Sequence, residues 1–189
     1  NGKIPRNPFA MYHVDPDHKE REFLTLDELT AMTEIKLEDP NMAFARDLFI
    51  FGCWTGISFI DIKNLTEDNI SIVNDAPWII SKRQKTGVPF QIKLMDIPML
   101  IIERYKSFRK DNHLFNIGNL DSINKRIKKV AAMCGIKKRV SFHVSRHSWA
   151  VLALEYGMPI ESVSKILGHT NITTTQIYAK VTSTKLDHD

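Results

Sequence analysis

The sequence predicts an α+β fold, mainly helical, with one small three-stranded antiparallel sheet. Two observations carry this reading. Capped, apolar-periodic stretches fill the chain on both sides of a single block, residues 69–94, whose β-branched, alternating character suits strands. The 189 residues, 43% hydrophobic and 25% charged, suit one globular unit with a sizeable core.

Residues 1–22 hold three prolines and no sustained periodicity, the signature of an arm or linker. Thr25-Leu-Asp-Glu28 is a capping box, in which the threonine hydroxyl takes an orphan amide and Glu28 reaches back. A helix follows to about Lys36. After Pro40, Met42 to Trp54 is apolar nearly all round, which predicts a buried helix. A short helical piece covers Ser58 to Lys63. Strands follow at Asn69 to Val73, Trp78 to Arg83 and Val88 to Leu94, with Lys85-Thr-Gly87 turning between the last two. Asp96 and Pro98 start a helix to about Lys110, and Asp121 and Ser122 offer caps for one closed by Gly135. Ser141 caps a helix to Gly157, and Pro159 opens another to Leu167. Beyond Gly168 a last helix spans about Ile172 to Lys180, leaving residues 182–189 as a C-terminal tail.

Cys53 and Cys134 both sit in apolar helical runs and read as small buried hydrophobes in a reducing compartment. No run of eighteen apolar residues and no signal-peptide pattern occurs, so a cytoplasmic protein without membrane contact is expected. The net charge of +4 is unevenly spread. Residues 15–39 hold nine acids against three bases. Residues 122–154 hold no acid, yet contain Lys125, Arg126, Lys128, Lys129, Lys137, Lys138, Arg139 and Arg146. Such a one-sided field suits the phosphates of a nucleic acid.

That basic stretch leads into Phe142-His-Val-Ser-Arg-His-Ser148, followed by Ile166-Leu-Gly-His169 and Thr174-Thr-Gln-Ile-Tyr178. His143 and Arg146, three apart on a helix, project from one face. Phosphodiester cleavage builds negative charge on the non-bridging oxygens, and fixed cationic donors stabilise it without a metal. His169 can supply another donor, and Tyr178 follows two helical turns later. A phenol titrates near pH 10, so it needs a cationic setting to become a nucleophile. A zinc site of His143, His147 and His169 fits poorly, because Val144 stands where a glutamate base belongs and Arg146 would repel the metal. No metal or cofactor is expected.

From Phe23 to Val181 the chain resembles the catalytic domain of the tyrosine recombinases of the phage integrase family. Phe142-His-x-x-Arg-His resembles the family's second box, and Leu167-Gly-His-Thr-x-x-x-Thr-Thr-x-x-Tyr178 its third. The resemblance implies that Tyr178 is the nucleophile and that Arg146, His143 and His169 hold the scissile phosphate. Lys85, in a Gln-Lys-Thr turn between two strands, matches the family's lysine that protonates the leaving 5′ oxygen, with Lys82 as a fallback. The implied activity is site-specific cleavage and rejoining of double-stranded DNA through a 3′-phosphotyrosyl link, for integration or excision of a mobile element. Implied partners are DNA, a tetramer assembled on it, accessory DNA-bending proteins, and an N-terminal DNA-clamping domain joined through residues 1–22. DNA-bound protein would then associate with a bacterial nucleoid.

One box departs from the pattern. Where the family has Thr-Gly-x-Arg-x-x-Glu/Asp, this chain reads Thr55-Gly-Ile-Ser-Phe-Ile-Asp61. Asp61 fits the supporting acidic position, but Ser58 replaces the arginine. Some integrases of conjugative and mobilisable transposons resemble this chain in that respect. Arg46 is the first candidate substitute, since a charge in a buried helix needs a partner such as Asp47 or Asp61, or an incoming phosphate. Arg83 is a weaker one. Two other readings compete: a non-catalytic helix-turn-helix DNA binder formed by residues 159–178, and a type IB topoisomerase-like relaxing enzyme.

Overall fold

The computed structural model describes the backbone of residues 21–186 and the side chains of residues 21–180. Of the arm expected at 1–22, only Arg21 and Glu22 lie within the described residues.

Helix α2 (Pro40–Thr55) organises the rest. Asp39 Oδ1 accepts the N–H groups of Asn41 and Met42, and Pro40 supplies the preset first turn. Every residue from Ala45 to Cys53 is buried, as a run apolar nearly all round predicts, and the charged Arg46 and Asp47 are buried with the rest. Around it pack α1 (Leu26–Glu34), α4 (Asp96–Arg104), α5 (Leu120–Met133) and α6 (Phe142–Glu155). The contact with α6 is unusually close: a Cβ built on Gly52 would lie 2.5 Å from Ser145 Oγ. Phe142 seals the same interface, edge-on to Phe49 at 6.3 Å and to Phe59 of α3 (Phe59–Lys63) at 5.2 Å. Gly56 ends α2 at φ 65°, where a Cβ would also lie 2.6 Å from the Trp149 ring.

The sheet has order β1 (Ile70–Val73), β2 (Ala76–Lys82), β3 (Pro89–Lys93), all antiparallel. Val73 pairs with Ala76, so Asn74 and Asp75 form a two-residue turn with φ of 50° and 57°. Left-handed conformations at both positions are what a hairpin of that length demands. Lys82 pairs with Pro89, and the connection between them is narrowed by Arg83 N–H to the Val88 carbonyl at 2.8 Å. Helices α7 (Ile160–Leu167) and α8 (Thr173–Leu186) complete the fold.

Helix ends differ from expectation in four places. α5 is capped by Asn119, whose Oδ1 takes the Ser122 N–H at 2.8 Å, rather than by Asp121 or Ser122. Ser141 occupies the cap position of α6 but makes no capping bond; Asn124 of α5 reaches across to the Phe142 N–H at 2.7 Å. α4 stops at Arg104, because Tyr105 turns inward to meet Phe44 edge-on and to donate its hydroxyl to Asp47. α8 continues past Lys180 to Leu186, since no glycine or proline intervenes, and so enters the stretch read as a tail. Cys53 is buried as expected, whereas Cys134 is half-buried and its Sγ lies 3.6 Å from the Ala31 carbonyl.

Arg46 is committed to this fold. Its Nε lies 2.5 Å from Asp47 Oδ1, and its Nη1 donates to the carbonyls of Met32, Thr33 and Ile35 at the end of α1. Asp47 Oδ2 in turn accepts from Arg104 at 2.7 Å and the Tyr105 hydroxyl at 2.8 Å. Burial and the Asp47 carboxylate push the Tyr105 phenol well up from its ordinary value. Arg46 Nε and Nη1 are thus taken up by Asp47 and the end of α1, and Arg46 makes no described contact with Ser58 or Asp61, so its candidacy as the substitute at Ser58 is corrected to a structural role. Arg46→Ala strands helix-end carbonyls and one side of a buried carboxylate, and should cost about 3 kcal/mol in urea unfolding. A loss below ~0.5 kcal/mol would contradict this structural role.

Candidate active site

The residues singled out by chemistry converge where α6, α7, α8 and the β2–β3 connection meet. Arg146 lies one helical turn beyond His143 on α6. It spans two helix ends, donating from Nη1 to the Gly56 carbonyl at 2.9 Å and from Nη2 to the Leu167 carbonyl. These carbonyls close α2 and α7 and have no partner within their own helices. Burial and the neighbouring Arg83 lower Arg146 to about 10, while Tyr178 and Asp61 oppose that shift.

His169 follows α7, which Gly168 ends at φ 65°. Its backbone N–H bonds back to the Ser164 carbonyl at 3.0 Å, and its Nδ1 lies 2.8 Å from Oγ1 of buried Thr175. If the threonine hydroxyl donates there, Nε2 carries the ring proton and is left as the donor. Burial, then Arg146, Arg21, Arg83 and His143, lower His169 to about 4. His143 is lowered by burial, Arg146 and Arg21. These imidazoles belong to a pocket short of negative charge.

Tyr178 on α8 is docked in its own chain, 3% exposed. Its ring lies 5.6 Å from that of His147, and its phenol oxygen accepts a hydrogen bond from Arg21 Nη1 at 3.2 Å. Buried Thr175 and Tyr178 face α6 and α7, so this side of the second helix of the helix-turn-helix is occupied by protein.

Ser58 caps α3 and donates its hydroxyl to Asp61 Oδ2 at 2.7 Å. The place left open by the serine is reached from the β2–β3 connection. Arg83 Nη1 lies 2.9 Å from the same Asp61 oxygen, and Nη2 donates to the Ile166 carbonyl. Asp61 Oδ1 accepts the N–H of Gln84 at 2.8 Å, which fixes the carboxylate against the start of the loop. The Arg83 guanidinium stacks 4.1 Å from the Phe90 ring centroid, and its Nε has no hydrogen-bond partner among the described residues. A Cβ at position 168 would lie 3.3 Å from that Nε, so Gly168 also makes room for the arginine. Arg83, the weaker candidate from sequence, is therefore the cation that the structure brings beside Arg146 and Asp61.

Lys85 is not drawn into this cluster. It stands exposed in the β2–β3 connection, as does Lys82 at the end of β2. Beside the connection an open cleft of ≈350 Å³ runs between Val88 and α7, lined also by Lys165, Gly168, His169 and Ile172. Of the basic residues, Lys125, Lys128 and Lys129 are exposed on α5, opposite its buried Ile123, Ile127 and Val130. Lys137 and Arg139 are exposed in the loop to α6. Arg126 instead bonds Ser122 Oγ at 2.5 Å, and Lys138 pairs with Glu28 at 2.5 Å beneath the Phe23 ring. Two residues that sequence reasoning did not assign to DNA cleavage also belong to the site. Arg21 touches the phenol, and His147 packs between His143 (centroids 4.4 Å) and Tyr178. The signals for His147 were its place directly after Arg146 in the second motif and its four-residue spacing from His143, which was weighed only as a zinc site.

A profile described as the phage integrase family matches residues 22–185. The chain belongs to the phage integrase family. Tyrosine recombinase XerA of Pyrococcus horikoshii is 31% identical, over 74% of this integrase-family chain and 50% of its own length. Tyrosine recombinase XerC of Natranaerobius thermophilus is 43% identical, over 97% of this chain and 67% of its own. The chain thus spans between half and two thirds of these relatives. Two solved structures share the fold. The XerH site-specific recombinase bound to a palindromic difH substrate, a post-cleavage complex, has TM-score 0.76 and 18% identity, covering 90% of this chain and 53% of that one. The Tn1549 transposon integrase with circular intermediate DNA has TM-score 0.69 and 18% identity, covering 87% and 63%.

The histidines make a pH prediction for this integrase-family domain without DNA. Unfolded imidazoles titrate near pH 6.5, whereas His147 and His169 are lowered to about 4, His147 chiefly by burial and then by His143. The unfolded chain therefore binds more protons between those values, and stability must fall as pH drops from about 6.5 toward 4. Thermal melts should show that fall, and His147→Gln should make it shallower. An unchanged slope in the variant would mean that His147 does not carry the linkage.

Proposed function

We propose that residues 23–181 form the catalytic domain of a site-specific DNA recombinase, and that residues 1–22 link it to an N-terminal DNA-clamping domain. One observation carries the reading most: a buried tyrosine faces a cluster of arginines and histidines whose positive charge is incompletely balanced.

A scissile phosphate placed there would be held by Arg146, His143 and His169, with Arg83 supplying the charge that Ser58 lacks. The Tyr178 oxygen attacks phosphorus, its proton passing to water, and the bond to the 5′ oxygen breaks. Lys85, on the exposed connection where DNA would meet it, donates a proton to that leaving oxygen. The 3′-phosphotyrosyl link conserves the bond energy, so attack by a 5′ hydroxyl reverses the step and rejoins strands. Exposed Lys125, Lys128, Lys129, Lys137 and Arg139 would contact flanking phosphates, with Arg126 and Lys138 beside them. One strand is cut per protomer, so exchange between two duplexes calls for a tetramer on DNA, with accessory bending proteins as further partners. Integration or excision of a mobile element is the proposed setting, in a bacterial cytoplasm. The burial of Tyr178 weighs against a purely DNA-reading helix-turn-helix, and the relatives' names favour strand exchange over relaxation.

The test uses the full-length protein and a nicked suicide substrate bearing its own site. An SDS-resistant protein–DNA adduct is expected, and Tyr178→Phe should abolish it; an adduct that persists in that variant removes the tyrosine from its role. Arg83→Lys keeps a charge but not the two-pronged donor, and should slow single-turnover cleavage on the order of 100-fold in protein shown to be folded by circular dichroism. Cleavage at the wild-type rate would leave Arg83 as only the structural partner of Asp61.

A further inference from the structure

Resting on the reading above, we propose that Arg21 is a further catalytic residue, a guanidinium delivered to the Tyr178 nucleophile by the segment that leads into the domain. Its Nη1 lies 3.2 Å from the phenol oxygen, the atom that would attack phosphorus, and its guanidinium carbon lies 5.8 Å from the ring centroid.

Arg21 is exposed, and an exposed arginine touching a tyrosine would by itself carry little. What gives the contact weight is how the backbone that bears it is held. The N–H of Leu24 donates to Ser148 Oγ at 2.7 Å, and the Leu24 side chain is fully buried. The Glu22 carbonyl lies 3.3 Å from His147 Nδ1, which donates to it in the tautomer protonated there. Both anchors belong to α6, the helix that carries His143 and Arg146. His147 is 7% exposed, its Nε2 has no hydrogen-bond partner among the described residues, and its ring packs on Tyr178 itself. Residues 21–24 are therefore registered against the same helix that carries the phosphate-holding His143 and Arg146. The charge of Arg21 also reaches into the site, where it helps to lower His143, His147 and His169.

The chemistry follows from this placement. As the tyrosine oxygen loses its proton, an N–H donor with full positive charge stabilises the developing phenolate. When the oxygen becomes an ester in the phosphotyrosyl link, the same guanidinium faces the adjacent phosphate. Arg21 thus acts on the reacting oxygen, whereas Arg83 and Arg146 act on the phosphoryl group.

Full-length wild type, Arg21→Ala and Arg21→Lys should be compared on the suicide substrate, with DNA affinity measured separately by fluorescence anisotropy. At saturating DNA, Arg21→Ala is expected to cut roughly 10- to 100-fold more slowly, less than for a buried oxyanion donor because Arg21 is exposed. Its Kd should change less than about threefold, and Arg21→Lys should recover part of the rate. Wild-type rate in Arg21→Ala overturns the assignment. So does a loss of affinity that accounts for the whole effect, or a lysine variant no faster than alanine. If wild type itself forms no adduct, the phosphotyrosyl reading fails and takes this one with it; a wild-type adduct with no Arg21 effect sinks only the present inference.

Discussion

The close approach of α2 and α6 is the constraint on which the rest depends. Gly52 lets the helices meet at the Ser145 hydroxyl, and Gly56 lets the chain turn beneath Trp149. A methyl group at either position would collide with a side chain of α6, Ser145 or Trp149, and core packing transmits such shifts rather than absorbing them. The separation matters because Arg146 spans from α6 to the last carbonyl region of α2. His143 and the anchors of residues 21–24 ride on the same helix, so one glycine contact sets the position of most of the site.

Grouping three arginines and three histidines round one phenol would be unfavourable without compensation. The fold supplies it in two forms. Asp61 takes a direct hydrogen bond from Arg83, and the carbonyls of Ile166 and Leu167, at the negative end of α7, accept from Arg83 and Arg146. The histidines respond differently, by staying neutral over a wider pH range. The charge is therefore assembled during folding, and for the proposed phosphate it would stand ready beforehand, the condition under which fixed donors act most strongly.

Much of this was legible in the sequence. The buried helix, the three strands and the order of the helices followed from periodicity, capping residues and turn chemistry, because those signals are local. His143 and Arg146 were legible for a related reason, their three-residue spacing on one helix, whereas His169 and Tyr178 were legible through the motif that runs from Leu167 to Tyr178. What could not be read was any pairing across the fold. Arg46 and Arg83 are both buried arginines near an aspartate in sequence or space, and only the packing of α1 and the β2–β3 connection decides which reaches the site. Caps had the same limit, since Asn124 serves α6 from another helix. Arg21 and His147 were missed because their roles rest on contacts more than thirty residues apart in the chain.

The bonds from Arg83 and Arg146 to the end of α7 have one more consequence. Residues that hold a substrate usually reveal themselves by serving no structural purpose, so their persistence through divergence reports selection for activity. Here both arginines close a helix, and a degenerate copy that had lost its chemistry would still be selected to keep them for as long as it had to fold. Lys85 is different, standing exposed and outside the bonded cluster. If Lys85 donates the leaving-group proton as proposed, then among diverging descendants of this chain its retention, more than that of either arginine, would separate working copies from relics.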